Sequence, residues 1–221
     1  MENCRKLIRI PSGKMETEGV LDVPANAIGM VVFAHGSGSS RFSPRNNHVA
    51  GELQQARIGT LLIDLLTPGE DAQYSTRFNI SLLTERLASA VGWLQGQAGN
   101  EALPVGLFGA STGAAAALQV AALPALHIAA VVSRGGRPDL AGTAVLAQVH
   151  APTLLIVGGN DADVLELNKA AYLGLHCEKR LEVVPGATHL FEEAGALEEV
   201  AEMASAWFAQ HFSTRQRRDR G

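Results

Sequence analysis

Short aliphatic and β-branched runs alternate with longer helical stretches along the whole chain, and this alternation restricts the fold more than any other feature. A strand, a crossing helix and a second strand in the same sheet run parallel, so repeated alternation gives a mainly parallel sheet with helices on both faces. The strand-like runs are Lys6 to Ile10, Val20 to Val23, Gly29 to Ala34, Thr60 to Asp64, Val105 to Phe108, Ala129 to Ser133, Thr153 to Val157 and Leu181 to Val184. Apolar residues at three- and four-residue spacing predict helices over Asn47 to Arg57, Ser81 to Gln95, Ser111 to Leu123, Val164 to Leu173 and Leu197 to Phe212. The first two strands lack a helix between them, so a hairpin is expected, with antiparallel pairing at one edge.

Size and charge narrow the class. A chain of 221 residues fits one domain, and 47% hydrophobic with 18% charged residues suits a folded core. The expected domain spans residues 1–213. The basic cluster Arg215-Gln216-Arg217-Arg218-Asp219-Arg220 falls in a tail, 214–221, expected to be disordered. A net charge of -4 argues against a nucleic-acid binder, which would normally show a basic face, so no nucleic-acid partner is expected. Cys4 and Cys177 are too few and too far apart for a disulfide framework, and Met1 to Lys6 leads into no apolar leader, so a cytoplasmic protein is expected. Val105 to Val132 is Ala- and Gly-rich but interrupted by Pro124 and polar residues, so no membrane partner is expected.

Chemistry enters at Gly109-Ala110-Ser111-Thr112-Gly113, a G-x-S-x-G pattern. Alone the pattern is a weak signal. Here it follows the apolar run Val105-Gly106-Leu107-Phe108 and opens the helix Ala114-Ala115-Ala116-Ala117-Leu118, the setting of a nucleophile elbow. Such a turn strains the serine backbone and lifts its hydroxyl above the sheet, while the flanking glycines let strand and helix approach. The alternative is a serine that merely caps the helix.

A serine nucleophile needs a base, and the base needs an orienting acid. Asp161 lies just beyond Leu154-Leu155-Ile156-Val157-Gly158-Gly159, and His189 just beyond the last strand. Asp163 shares the loop with Asp161, and either could cap the following helix. No His/Cys cluster or calcium-loop pattern accompanies this pair, so no metal is expected. Of the other histidines, His48, His127, His150, His176 and His211 read as helix or helix-edge residues, and His35 ends a strand.

The loop His35-Gly36-Ser37-Gly38-Ser39-Ser40 follows the third strand, and the backbone N–H groups of Ser37 and Thr112 are the expected oxyanion hole. The loop begins like G-x-G-x-x-G, but Arg41 stands where the third glycine would be, which argues against a dinucleotide site. Arg41 and Arg45 follow this loop and Arg134 and Arg137 follow the sixth strand; Arg41, Arg45 and Arg134 are candidates for selecting an anionic substrate. Pro68 to Asn79 has few strand or helix signals and is a candidate overhang or simple loop.

Together His35-Gly36-Ser37-Gly38, Gly109-Ala110-Ser111-Thr112-Gly113, Gly159-Asn160-Asp161 and Ala187-Thr188-His189 resemble the dienelactone-hydrolase-related branch of the α/β-hydrolases. Ser39 to Asn46 and Leu65-Leu66-Thr67-Pro68 resemble a subgroup of small hydrolases, some fused to phosphoribosyltransferase domains; no such domain is expected in these residues. The resemblance implies an α/β-hydrolase fold with a mostly parallel eight-stranded sheet and an acyl-enzyme mechanism on a small-molecule ester, without a cofactor. Dienelactone hydrolases proper carry cysteine in the elbow where this chain has Ser111, so the activity implied is general carboxylic-ester hydrolysis. A thioesterase, a lactonase or a non-catalytic binding module would keep the same fold.

Overall fold

The computed structural model describes residues 4–13, 15–97 and 103–218. Eight strands form one sheet: β1 (Cys4–Ser12), β2 (Met15–Val23), β3 (Gly29–Ala34), β4 (Ile58–Ile63), β5 (Val105–Ala110), β6 (Ile128–Arg134), β7 (Thr153–Gly158) and β8 (Lys179–Val184). Their spatial order is β1-β2-β4-β3-β5-β6-β7-β8. The expected hairpin is present, because Ser12 and Met15 pair across a tight turn. β2 then runs antiparallel to β4, and every later pairing is parallel.

Period-two burial divides the interior into two layers. Met30, Val32 and Ala34 of β3 join one cluster with Leu83, Leu87 and Leu94, while Val31 and Phe33 join the other with Val49 and Leu53. Helices α3 (Ile80–Gln95), α4 (Thr112–Ala121) and α6 (Ala162–Gly174) cover the first face. Helices α1 (Pro44–Gln55) and α7 (Ala196–Arg218) cover the second, with Val200, Ala204 and Phe208 turned to the sheet. The strands themselves make room for α7. A Cβ on Gly106 would stand 2.6 Å from the Phe208 ring, so the ring occupies the space a side chain would need.

Boundaries differ from the sequence expectation where capping decides them. α1 starts three residues before Asn47, since the Ser43 hydroxyl accepts the Asn46 N–H and Pro44 supplies a preset first turn. Pro68 to Asn79 is not a plain loop. It holds the single turn α2 (Pro68–Asp71), closed by a capping box between Thr67 and Glu70, and a 3-10 turn over Tyr74–Phe78. A further short helix, α5 (Thr143–Leu146), connects β6 to β7. α7 continues past Phe212 to Arg218, so residues 214–218 of the expected tail are helical; its last residues, 219–221, lie outside the described residues.

Because β3 and β5 to β8 are parallel, their carboxyl ends share one edge, and the loops after Ala34, Ala110, Arg134, Gly158 and Val184 gather there. The framework should depend heavily on the α7 anchor. Phe208→Ala is expected to cost about 3–5 kcal/mol, read as a lower denaturant midpoint at unchanged slope.

Candidate active site

The G-x-S-x-G segment forms the turn from β5 into α4, with Ser111 at φ 50° and ψ -121°. Such angles are costly for a residue with a Cβ, so the surroundings must impose them. The two glycines show how. A Cβ on Gly109 would lie 2.4 Å from Ala114 Cα, and one on Gly113 would lie 2.2 Å from the Ala34 carbonyl oxygen. Strand, helix and the end of β3 are therefore pressed together at distances only glycine allows. The Ser111 backbone is also fixed by its neighbour β6: its N–H donates to the Arg134 carbonyl (3.3 Å) and its carbonyl accepts from Arg137 N–H (3.0 Å). The serine side chain makes no capping bond to α4, which leaves its oxygen to the cleft.

Asp161 Oδ2 lies 2.6 Å from His189 Nδ1. The aspartate stands at the N-cap position of α6 yet makes no side-chain cap, so its carboxylate is committed to the imidazole. Asp163 is exposed in the first turn of α6. Among the described residues no hydrogen bond joins Ser111 Oγ to His189, although both line the same cleft of about 170 Å³. Gly36, Ser37, Ser39, Ser43, Arg45, Asn46 and Arg134 complete much of its wall. A wider depression of about 540 Å³ lies at the opposite edge of the sheet against Leu123, His127 and His150, away from these groups.

The loop after β3 is held by His35. Leu65 N–H donates to its Nε2 (3.0 Å), so the ring hydrogen sits on Nδ1 and is donated to the Gly36 carbonyl (2.9 Å). This fixes the peptide between Gly36 and Ser37. Neither Ser37 N–H nor Thr112 N–H donates to a protein acceptor among the described residues, so both are free to meet a ligand. Burial pushes the His35 pKa below its usual 6.5, which keeps the ring neutral in this role.

The arginine expectations divide. Arg41 does not line the cleft: its guanidinium pairs with Asp64 and, at 2.6 Å, with Glu18, which corrects its candidacy as a substrate residue. Glu18 on β2 and Asp64 after β4 meet it only because those strands are paired. Arg137 is similarly occupied by Asp139 at 2.7 Å. Arg45 and Arg134 do line the cleft. Sequence reasoning missed Asn46, which holds Arg134, and Phe191, whose φ of 55° and buried ring shape the turn after His189. The Ser43-Pro44 cap was the signal that places Asn46 in the first turn of α1. His127, His150 and His176 lie in connecting segments rather than on helices. None of residues 68–79 lines the cleft.

A dienelactone hydrolase from Anabaena variabilis is 49% identical, covers 96% of this chain and 99% of its own, and superposes with a TM-score of 0.92. The chain belongs to the dienelactone-hydrolase-related branch of the α/β-hydrolases. Est1E from Butyrivibrio proteoclasticus shares the fold at 15% identity, with a TM-score of 0.80 over 94% of this chain and 99% of its own. A putative phosphoribosyl transferase of Mycobacterium tuberculosis is 55% identical to this hydrolase-family chain over 93% of its length. That match takes in 46% of the relative, so the chain spans about half the length of the curated proteins it matches. No family model matches the chain. Among the described residues no group of three or more His, Cys, Asp or Glu side chains is placed to hold a metal ion, and no helix is long and apolar enough to cross a membrane.

The neutral His35 makes stability pH-dependent. Its folded pKa lies below 6.5, so on acidification the unfolded chain takes up a proton that the folded chain refuses, and stability falls as pH drops below that value. His211, also depressed by burial, acts in the same direction. His35→Gln is therefore expected to lose less stability than the parent between about pH 7.5 and pH 5 in denaturant titrations.

Proposed function

We propose that this chain hydrolyses carboxylic esters, with Ser111 as nucleophile, His189 as general base and Asp161 as the acid that orients it. The observation that carries this reading is the 2.6 Å Asp161–His189 pair opening onto the same cleft as a strained, uncapped Ser111. Family membership supports hydrolysis, and the Rhodothermus marinus esterase domain of the same fold (19% identical, TM-score 0.76) is in keeping with it.

The chemistry follows from the positions. Asp161 holds Nδ1–H, which directs the other ring nitrogen, Nε2, to act as base. For this Nε2 must meet Ser111 Oγ across the cleft both residues line, a contact that substrate-free sites often leave unmade. As Oγ attacks the ester carbonyl, its proton passes to Nε2 and the carbonyl oxygen becomes an oxyanion. The free N–H groups of Ser37 and Thr112 are the donors for that charge, each worth about 3–4 kcal/mol in comparable sites. The imidazolium then gives its proton to the departing alkoxide, leaving acyl-Ser111. In the second half, His189 takes a proton from water, hydroxide attacks the acyl carbonyl, and the proton returns to Oγ as the carboxylic acid leaves. No cofactor enters any step.

A lactone is the second reading, because the Anabaena relative is named a dienelactone hydrolase. The steps are identical, except that the leaving hydroxyl stays tethered to the acyl group.

A serine-directed organophosphonate is expected to label Ser111 and stop hydrolysis of short activated esters. Ser111→Ala and His189→Ala should each lower kcat by about a thousandfold or more, and Asp161→Asn by a smaller factor. Asp163→Asn should stay near the parent, since its carboxylate is exposed and away from the imidazole. Label on another residue, or a heavier loss in Asp163→Asn than in Asp161→Asn, overturns these assignments.

A further inference from the structure

The loop that leaves β6 touches both the Ser111 turn and His189. On one side, Ser111 N–H donates to the Arg134 carbonyl, and the Ser111 carbonyl accepts from Arg137 N–H at 3.0 Å. On the other, Gly135 lies against the His189 turn. A Cβ there would stand 3.1 Å from the His189 carbonyl oxygen and 3.5 Å from Nδ1, and its φ of 51° suits glycine. The loop is thus the spacer between the serine and the imidazole.

Asn168 holds that spacer. Its Nδ2 donates to the Gly136 carbonyl at 2.9 Å and to the Val164 carbonyl, one turn back in α6, at 2.8 Å. Both partners are carbonyls, so only the amide nitrogen can face them. The Gly136 carbonyl and the Arg137 N–H belong to one trans peptide, whose two polar ends point in opposite directions. Asn168 grips one end and the Ser111 carbonyl the other, a relay of two hydrogen bonds that polarise each other.

Asn168 is 0% exposed in the interior of α6. Asparagine is a poor helix former, and its Oδ1 accepts nothing among the described residues, so helix stability does not account for it. Its place on the helix does. Asp161 caps the start of α6 and Asn168 follows about two turns later, so both stand on the same side of the helix. From that side Asp161 holds His189, and Asn168 holds the peptide that holds Ser111.

We propose that Asn168 is a positioning residue that, through the Gly136–Arg137 peptide, fixes the Ser111 turn in register with the Asp161–His189 pair, so that one helix sets both. The kinetic consequence rests on the ester-hydrolase reading; the relay does not.

Two variants test this. Asn168→Leu removes the amide at similar volume, whereas Asn168→Thr keeps a hydroxyl that can bond the Val164 carbonyl but is one atom too short for Gly136. Competent sites are counted with the serine-directed organophosphonate, and kcat on a short activated ester is expressed per site, well below the melting midpoint. Both variants are expected to lose about tenfold or more in kcat per site, as a displaced reacting group implies, with KM within about twofold. A purely structural asparagine would give the opposite: a lower melting temperature and fewer competent sites, with kcat per site unchanged. Parental kcat in Asn168→Thr also overturns the proposal, because the Val164 bond would then suffice.

Amide hydrogen exchange reads the relay without a substrate. In both variants the Arg137 N–H should lose protection by about tenfold or more, while the Gly135 N–H, held by the Ile156 carbonyl at 2.8 Å, keeps its own. Unchanged protection at Arg137, or equal loss at both amides, refutes the relay. If the parent hydrolyses no ester, the ester reading fails and the exchange pattern alone decides for or against Asn168.

Discussion

The structure turns on a crowding constraint at one turn. Ser111 keeps its strained angles because β5, α4 and the end of β3 meet there with no space for a side chain at Gly109 or Gly113. Each of these contacts joins the sheet to α4, so the turn cannot relax without separating strand from helix. The strain is supported by the whole core beneath it, in which β3 and β5 are central, fully buried strands. Stability of the framework and the conformation of this serine are in this sense one property.

From that turn outward, the parallel sheet does the gathering. Residues from positions 36 to 190 reach one small cleft because the loops after the parallel strands lie on one edge. Backbone contacts set the spacing between loops: Arg134 carbonyl to Ser111, Ser111 carbonyl to Arg137, and the His35 ring between Leu65 and Gly36. The Asp161–His189 and Arg134–Asn46 contacts add side-chain pairs to these. A rigid scaffold carries the groups that line the cleft.

Much of this was legible in the sequence, for identifiable reasons. The central strands are short apolar runs bounded by turn residues, so the sheet, its hairpin and its direction follow from periodicity. Ser111, Asp161 and His189 could be singled out because each stands directly after such a run, where the chain leaves the sheet. What resisted reading depends on contacts far apart in sequence. Arg41 looked unpartnered until β2 and β4 brought Glu18 and Asp64 to it. Arg134 gave no sign that it would be buried, since the residues enclosing it, Asn46 and Phe191, come from opposite ends of the chain. The turn at Pro68 was hidden for a different reason: four residues carry no periodicity, and only the Thr67–Glu70 box marks it.

The strand order has one more consequence, for how the molecule meets others of its kind. β1 and β8 are the two rims of the sheet, and each presents backbone groups that another strand could pair with. β1 carries exposed Arg5, Lys6 and Arg9, then Pro11, which offers no N–H; β8 carries Lys179, Arg180 and Glu182 over its six residues. An incoming strand would have to strip water from these charges and, at Pro11, leave its own carbonyl without a donor. The same eight strands that gather the cleft loops along one edge are thereby protected against growing a ninth.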